Sequence, residues 1–591
     1  MNRLAVAGAF CAFLSPAASL ACGGFFCSST PVDQEAERII FVQEDEQHVR
    51  SIVEIQYQGD PDAFAWVVPV PSVPELDTFY ASAFNALDLA TQPQFVLPPE
   101  CQQLNDFASA GGAVDEDGEA PPPGEVTVLD RKVVGPFDTA TIESQDPRAL
   151  IEWLRTNGFR IPEAMEPFIA LYTAEGMKFV AMKLLPGEGT DSIKPISMRY
   201  ASSNPAVPLR LTSIAALLEM GVKIWILGDG RFGPQNVPAV DIADNELRFD
   251  LWTYQSNYVP LVARKVDALR GPAFVTELAT GTEALAAQVR DGFVPDWAEQ
   301  EVRDGQAALA ELLTDHPYLT RLYTRVSPEE MFIDPVFGRV PGGDVSNVHT
   351  LVQSSVDHCN DNGGGANPAG AGGAEGDAAA DERACEFAAC GASGRCAVVA
   401  DAVSQQEALG CACAEGTLGR AVFDSTAPLG VRVACGDARM NFTAVDPEGT
   451  TGGAEVFLNP CAGFSCGDHG ECVSLNGNAS CRCETGFALV GRQGYDEALQ
   501  LPTLQMSCEA PRTAIPAAFY QDTEVPEPML PYPGRKTPFT GPGTPYTPRG
   551  QITDAGGDDD GCSTSPRAGA PAGLALMLLA PLVRRLRRRS R

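Results

Sequence analysis

Twelve of the chain's eighteen cysteines fall into two runs of six, Cys385, Cys390, Cys396, Cys411, Cys413 and Cys435, then Cys461, Cys466, Cys472, Cys481, Cys483 and Cys508. Their spacings are C-x4-C-x5-C-x14-C-x-C-x21-C and C-x4-C-x5-C-x8-C-x-C-x24-C, which share three intervals at matching places and mark an internal repeat. Each unit spans only about 50 residues and has few large apolar side chains, so it needs covalent staples to hold a fold. Stable disulfides require an oxidising compartment, so the spacing also predicts export. Spacing alone leaves 15 possible pairings in each unit. Cys11 lies in the leader and Cys562 in the tail, leaving Cys22, Cys27, Cys101 and Cys359. Cys22 with Cys27, or either of them with Cys101, are equally reasonable pairs. Every cysteine between the leader and the tail can thus be bonded, which argues against a thiol nucleophile.

Both ends of the chain carry export signals. Residues 1–21, MNRLAVAGAFCAFLSPAASLA, place Arg3 before an apolar stretch and small residues at Ser19 and Ala21, the pattern of a secretory leader cut before Cys22. A lipoprotein leader acylated at Cys22 is the rival reading. At the other end, residues 568–583 are apolar and six arginines follow. As a helix this run reaches roughly 24 Å, short for a ~30 Å hydrocarbon core, and Pro571 and Pro581 weaken it. The arginines would hold that end in the cytoplasm. Gly561-Cys562, the apolar segment and the terminal arginines together resemble the MYXO-CTERM sorting tail of myxobacteria and related bacteria. That resemblance implies a sorting protease acting near Gly561 and Cys562 and retention at the cell envelope. A plain C-terminal transmembrane anchor is the simpler alternative.

The second cysteine unit reads CAGFSCGDHGECVSLNGNASCRCETGF and resembles an EGF-like module through CGDHGEC, the CRC pair and ETGF. The first, CEFAACGASGRC followed by CACAEGT, resembles it with a longer middle loop. The resemblance implies first–third, second–fourth and fifth–sixth pairing. That gives Cys385–Cys396, Cys390–Cys411, Cys413–Cys435, Cys461–Cys472, Cys466–Cys481 and Cys483–Cys508. Leu458-Asn459-Pro460 before Cys461 departs from the calcium-binding form of the module. A zinc site from Cys411, Cys413 and His469 lacks paired C-x2-C knuckles in a thiol-oxidising compartment. No metal and no cofactor is therefore assigned.

These features divide the chain into a leader (1–21), a large domain (22–356), a flexible Gly/Ala-rich linker (357–384), EGF-like modules at 385–435 and 461–508, a stalk (509–561) and a sorting tail (562–591) with its transmembrane segment at 568–583. The stalk is rich in Pro, Thr and Gly and favours extended polyproline II. All 77 acidic residues but only 34 of the basic ones lie between the leader and the tail, a net charge of −43 there. Nucleic-acid binding needs the opposite sign and is excluded.

The large domain reads as α+β. Alternation over 38–43 and 48–58 around Glu44-Asp45-Glu46 predicts a hairpin, and AFAWVVPV at 63–70 a buried or edge strand. Asp146-Pro147 opens a helix through 155. Strands are expected at 178–185, 222–227 and 246–252, and helices at 282–289 and 301–313. The order does not alternate as a doubly wound sheet would. ACGGFFC, AWVVPVP, WLRTNGFRIP and AFVTELA resemble a family of exported bacterial proteins classed as a domain of unknown function, which supplies no catalytic residues. Gly228-x-Gly230-x-x-Gly233 is followed by prolines instead of a helix and reads as a turn, not a dinucleotide site. No nucleophile elbow, HExxH or phosphate loop occurs. His349 and His358, near Cys359, read as surface residues. Two function classes remain: a surface-displayed binding protein with EGF-like spacers and an unknown ligand, or an anchored exo-enzyme, such as a hydrolase, built from distant carboxylates.

The intact mass of the protein from its native envelope tests this organisation. It should lack residues 1–21 and everything beyond the Cys562 region, carry a lipid, and gain about 16 protons on reduction if eight disulfides are present.

Overall fold

The computed structural model describes residues 34–521 except 55–63, 102–126, 160, 162–164, 190–191, 215, 295–297, 360–380, 401–406, 425–426, 428–429, 439–460, 462–463, 476–477 and 497–500. The leader, Cys22, Cys27, Gly561, Cys562 and segment 568–583 lie outside the described residues. Among the described residues no helix is long and apolar enough to cross a membrane.

The chain begins with β1 (Gln34–Gln43) and β2 (His48–Glu54), an antiparallel hairpin about the acidic turn. Next come β3 (Ala65–Val70), β4 (Glu75–Thr78), α1 (Ala81–Thr91), β5 (Gln94–Val96), β6 (Thr127–Val134) and β7 (Phe137–Glu143). Then follow α2 (Pro147–Thr156), α3 (Glu166–Ala174), β8 (Lys178–Leu184), β9 (Ile196–Ala201), α4 (Leu209–Thr212), β10 (Ala216–Gly228), β11 (Phe232–Pro234) and β12 (Ala239–Val240). The domain closes with β13 (Phe249–Asp250), β14 (Gln255–Ser256), α5 (Tyr258–Asp267), β15 (Phe274–Gly281), α6 (Glu283–Arg290), α7 (Gln300–Asp315), β16 (Tyr318–Val326), β17 (Phe337–Arg339), β18 (Val348–Thr350) and β19 (Val356–Asp357).

Eight of these strands form one sheet in the order β12-β15-β16-β10-β1-β2-β9-β4. β1–β10 and β12–β15 run parallel and the other pairs antiparallel, a mixed α+β arrangement. The period of two in β1 sends Ile39 and Phe41 to one face and Ile40 and Val42 to the other. Ile39 and Phe41 share a core with Trp66, Phe137 and Phe179 of the antiparallel sheet β3-β8-β7-β6 and with α2, α3 and α5. Ile40 and Val42 pack with Phe84, Leu87, Leu285 and Leu309 of α1, α6 and α7. Burying each such side chain stabilises the fold by about 1.5–3 kcal/mol. α2 starts where Asp146 accepts the Arg148 N–H at 2.9 Å ahead of Pro147.

Three expectations change. The strand expected at 246–252 shrinks to Phe249–Asp250, because Asp250 Oδ1 accepts the N–H of Trp252 and Thr253 and turns the chain. His349 is 9% exposed and hydrogen-bonded to Asp244 at 2.8 Å, while His358 stacks on Trp252, so neither is a simple surface residue. Cys101 is bonded to Cys359, which removes its pairing with Cys22 or Cys27. The hydrophobic core brings these two sites together across 258 residues of sequence.

The cysteine units do not form two separate modules. The first contains β20 (Gly394–Ala400), β21 (Glu407–Cys413), β22 (Thr417–Phe423) and β23 (Val431–Asp437). The second contains β24 (Gly470–Leu475), β25 (Asn478–Cys483), β26 (Ala488–Asp496) and β27 (Leu501–Glu509). Their two sheets run β20-β21-β26-β27 and β23-β22-β25-β24, so each sheet takes one hairpin from each unit. The linking pairs, Cys411 with Leu489 and Gly419 with Cys481, join the fourth cysteine of one unit to the sixth residue after the fifth cysteine of the other. The exchange is therefore internally two-fold. Disulfide sulfurs from both units, with Leu489 and Met506, form the small core between the sheets. A Cβ on Gly419 would stand 2.6 Å from the Leu489 side chain, so the hairpins meet only because that position is bare.

The expected linker and stalk boundaries also move. Asp357 belongs to β19, Cys359 is disulfide-bonded, and helical structure resumes at 381. Beyond Glu509, Ile515, Phe519 and Tyr520 pack with Val399 and Val490, so 509–521 belong to the disulfide body. Because each unit completes the other's sheets, residues 381–438 alone should remain without β-structure, whereas 381–521 should fold. Circular dichroism and amide dispersion of the oxidised fragments check this.

Candidate functional site

The disulfide body docks on the large domain where β10 is irregular. The β1–β10 register jumps from Gln34–Ala216 to Ala36–Gly221, while β16 pairs with β10 only from Met220 onward, so residues 217–219 bulge from the ladder. In this bulge Glu219 has φ +56° and is fully buried. A non-glycine residue held in that region costs about 1–3 kcal/mol and persists only where surrounding contacts enforce it. Here the Glu219 N–H donates to Ser327 Oγ at 3.0 Å, its carbonyl accepts from Arg325 at 2.8 Å, and Ser327 Oγ donates to its carboxylate at 3.3 Å. The preceding Leu218 packs on Gly436, where a Cβ would stand 2.2 Å from its side chain, and the Leu218 carbonyl accepts from Arg432.

Two arginines close the seam. Asp424 Oδ2 accepts from Arg325 of β16 at 3.0 Å and from Arg432 of β23 at 2.8 Å, and its side chain is 9% exposed. Burial lowers the pKa of Arg432, and Arg325 nearby lowers it further; Asp424 opposes both effects. Leaving one member of such a buried group unpaired costs about 3–5 kcal/mol. At the seam's margin Arg264, in the last turn of α5, donates to the carbonyls of Glu386 and Ala388 at 2.8 and 2.6 Å.

Behind these cations lies a cluster of buried acids: Glu219, Asp267 at the C-terminal end of α5, and Glu329 and Glu330 after β16. Asp267 and Glu219 are neighbouring carboxyls. Burial raises the Asp267 pKa well above the ordinary range, reinforced by Glu219 and Glu330. Burial likewise raises Glu330, with Glu219 adding to it, and pushes Glu329 up to about 7. The turn that carries them is a capping box: Ser327 N–H donates to Glu330 Oε2 at 2.8 Å.

Two cavities open on this cluster. One of ≈ 360 Å³ has mostly apolar walls, including Pro260, Ala263 and Val431, with Glu219, Arg325, Asp424 and Arg432 converging on it. The other, an open cleft of ≈ 920 Å³ between α5 and the disulfide body, is bordered by Asp267, Arg270, Glu386 and Arg395. A largely apolar recess with a few convergent polar groups and shifted carboxyls is the usual form of a ligand site.

Arg321 is a further buried charge, and it is engaged. It lies over Trp225 and bonds Glu277, Asp88 and Thr91, which fixes α1 and the β15–β16 pair. Among residues singled out from the sequence, Cys411 and Cys413 are each disulfide-bonded, and His469 pairs with Glu484 at 2.9 Å. The pairings in both units run first–third, second–fourth and fifth–sixth. Sequence reading missed the whole seam. Two signals were present: a lone carboxylate inside the apolar run AALLEMGVKIWIL, and the S-x-x-E of Ser327–Glu330.

Fold and seam define a strand-rich α+β protein whose largely apolar recess, with a few convergent charged groups, is shared with a disulfide body. The chain belongs to DUF2330, an uncharacterized protein family conserved in bacteria, whose family model matches residues 16–332. The match includes Glu219, Asp267, Arg325 and Glu330 and stops short of Asp424 and Arg432. No curated protein and no solved structure matches the chain.

The acid cluster makes stability depend on pH. Asp267, Glu329 and Glu330 hold protons more tightly folded than unfolded, so folding takes up protons above about 4.5. The stabilising effect of Glu329 is complete below that value and is lost as pH rises through about 7, and Asp267 and Glu330 act in the same direction. Glu37, buried in the main core and pushed up to about 7, adds a similar slope. The melting temperature should therefore fall from about pH 5 to about pH 8. Glu329→Gln should flatten part of that slope, an effect on the order of 2–3 kcal/mol at the alkaline end. Thermal melts across the range check both.

Proposed function

We propose that this is an exported bacterial protein that displays a single binding head at the cell envelope, with its ligand seated in the seam between the large domain and the disulfide body. The observation that carries this reading is the ≈ 360 Å³ cavity, in which apolar walls surround Glu219, Arg325, Asp424 and Arg432. The leader pattern at 1–21, the cysteine usage and the Gly561-Cys562 tail with its arginines support export and surface attachment. The pairing order supports an EGF-like origin for both units. Their role in this reading is to complete the head, and residues 522–561 supply the stalk that lifts it from the envelope. The binding partners are thus the envelope, a sorting protease at the tail and a surface ligand in the seam.

The neighbouring carboxyls of Glu219 and Asp267 support a second reading, an anchored hydrolase that uses Asp267 as a buried acid.

Ala263→Phe separates the readings, because it fills the cavity from α5 while leaving every charged group in place. Native mass spectrometry of protein purified from its own envelope should show a non-covalent adduct on the wild type that Ala263→Phe lacks. Cleavage of a mixed ester and peptide library, lost in Asp267→Asn, would instead favour the hydrolase.

A further inference from the structure

The strongest feature that the seam does not explain is the tip of the β13–β14 hairpin. Four residues, Leu251 to Tyr254, form the tip, closed by Asp250 Oδ1, which accepts the N–H of Trp252 at 2.7 Å and of Thr253 at 3.1 Å. The Leu251 N–H donates to the Asp357 carbonyl at 3.3 Å and ties the tip to β19. Immediately after β19 stands His358, whose ring stacks on Trp252 with centroids 3.8 Å apart and planes 9° apart. Cys359 follows, bonded to Cys101, so the backing ring is held by a covalent link to the core.

Trp252 is nevertheless 56% exposed, while the other described tryptophans, Trp66, Trp153 and Trp225, are at most 5% exposed. One indole face is covered by His358 and the other is open to solvent. Tyr254 beside it is 51% exposed and meets Phe249 edge-on. Tyr254 and His358 also have φ of +54° and +63°, two of four non-glycine residues described in that region. Glycine or asparagine would occupy these turn positions with less strain. Backbone strain that coincides with exposed aromatic rings points to selection for the rings and not for the turn. Asp250 and Thr253, on either side of Trp252, line the ≈ 360 Å³ cavity, so the tip that carries the indole borders that cavity.

We propose that the Trp252 face is a carbohydrate platform that stacks against one pyranose ring of a neutral glycan and directs an adjoining sugar into the seam cavity. This rests on the reading of that cavity as the ligand site. A pyranose has an apolar C–H face that matches a flat indole, and a rim of hydroxyls that suits Asp250 and Thr253. A single open ring face backed by His358 fits a sugar; a quaternary ammonium would need several rings around it. The chain's net charge of −35 disfavours polyanionic glycans and leaves neutral ones.

Isothermal titration calorimetry of the full chain, wild type and Trp252→Ala, tests this with cellohexaose, maltohexaose, xylohexaose and chitohexaose, and with hexagalacturonate as the anionic comparison. At least one oligosaccharide should give a saturable change, with affinity at least tenfold weaker in Trp252→Ala and an unchanged melting temperature. Trp252→Phe should retain part of the binding. No response to any of the four, equal binding by Trp252→Ala, or preference for hexagalacturonate overturns the proposal. The cavity reading fails separately. Binding lost in Ala263→Phe but not in Trp252→Ala leaves the cavity standing and removes the platform. The reverse pattern keeps the platform and removes the cavity.

Discussion

Asp424 between Arg325 and Arg432 is the contact on which the molecule's architecture turns. It joins a strand of the main sheet to a strand of the disulfide body through one carboxylate oxygen. Both guanidiniums also reach into the β10 bulge, Arg325 at the Glu219 carbonyl and Arg432 at the Leu218 carbonyl. The bulge, its left-handed glutamate and the docked disulfide body therefore depend on each other. With the dock in place, Glu219 is a buried acid beside Asp267. The ion group imposes rigidity and aims side chains into the cavity, which matters more here than its small net stabilisation.

The disulfide body shows how short sequences build a core jointly. Each unit has too little apolar surface to hold a fold without its three cystines. Exchanging hairpins lets Leu489, Met506 and the cystine sulfurs of both units pack in one interior. This gives two four-stranded sheets instead of two isolated pairs of hairpins, and marginal two-stranded ribbons become a stable body. The result is a broad base for docking rather than a string of spacers.

Much of the fold could be read from local pattern. The β1–β2 hairpin, β3, the Asp146-Pro147 helix start and the helices at α6 and α7 follow from period and capping, because those signals operate within a few residues. The turn at Gly228–Gly233 was legible for the same reason. The seam was not. Glu219 is marked only as a carboxylate within an apolar strand, Asp267 as the last residue of an ordinary helix, and Asp424 lies far along the chain. No local periodicity connects them, since their proximity comes from the bulge and from docking. Trp252 was likewise counted within an expected strand, until the Asp250 cap turned it outward.

By itself the sequence determined the α+β class of the large domain and the repeat of two stapled units, because hydrophobic period and cysteine spacing are carried by neighbouring residues. Only the tertiary structure decided that Cys101 bonds Cys359, that the units exchange hairpins, and that four acids and two arginines meet in a buried seam. Those outcomes depend on which surfaces bury each other. That is set by the whole chain's competition for apolar contact, which no short stretch of sequence encodes.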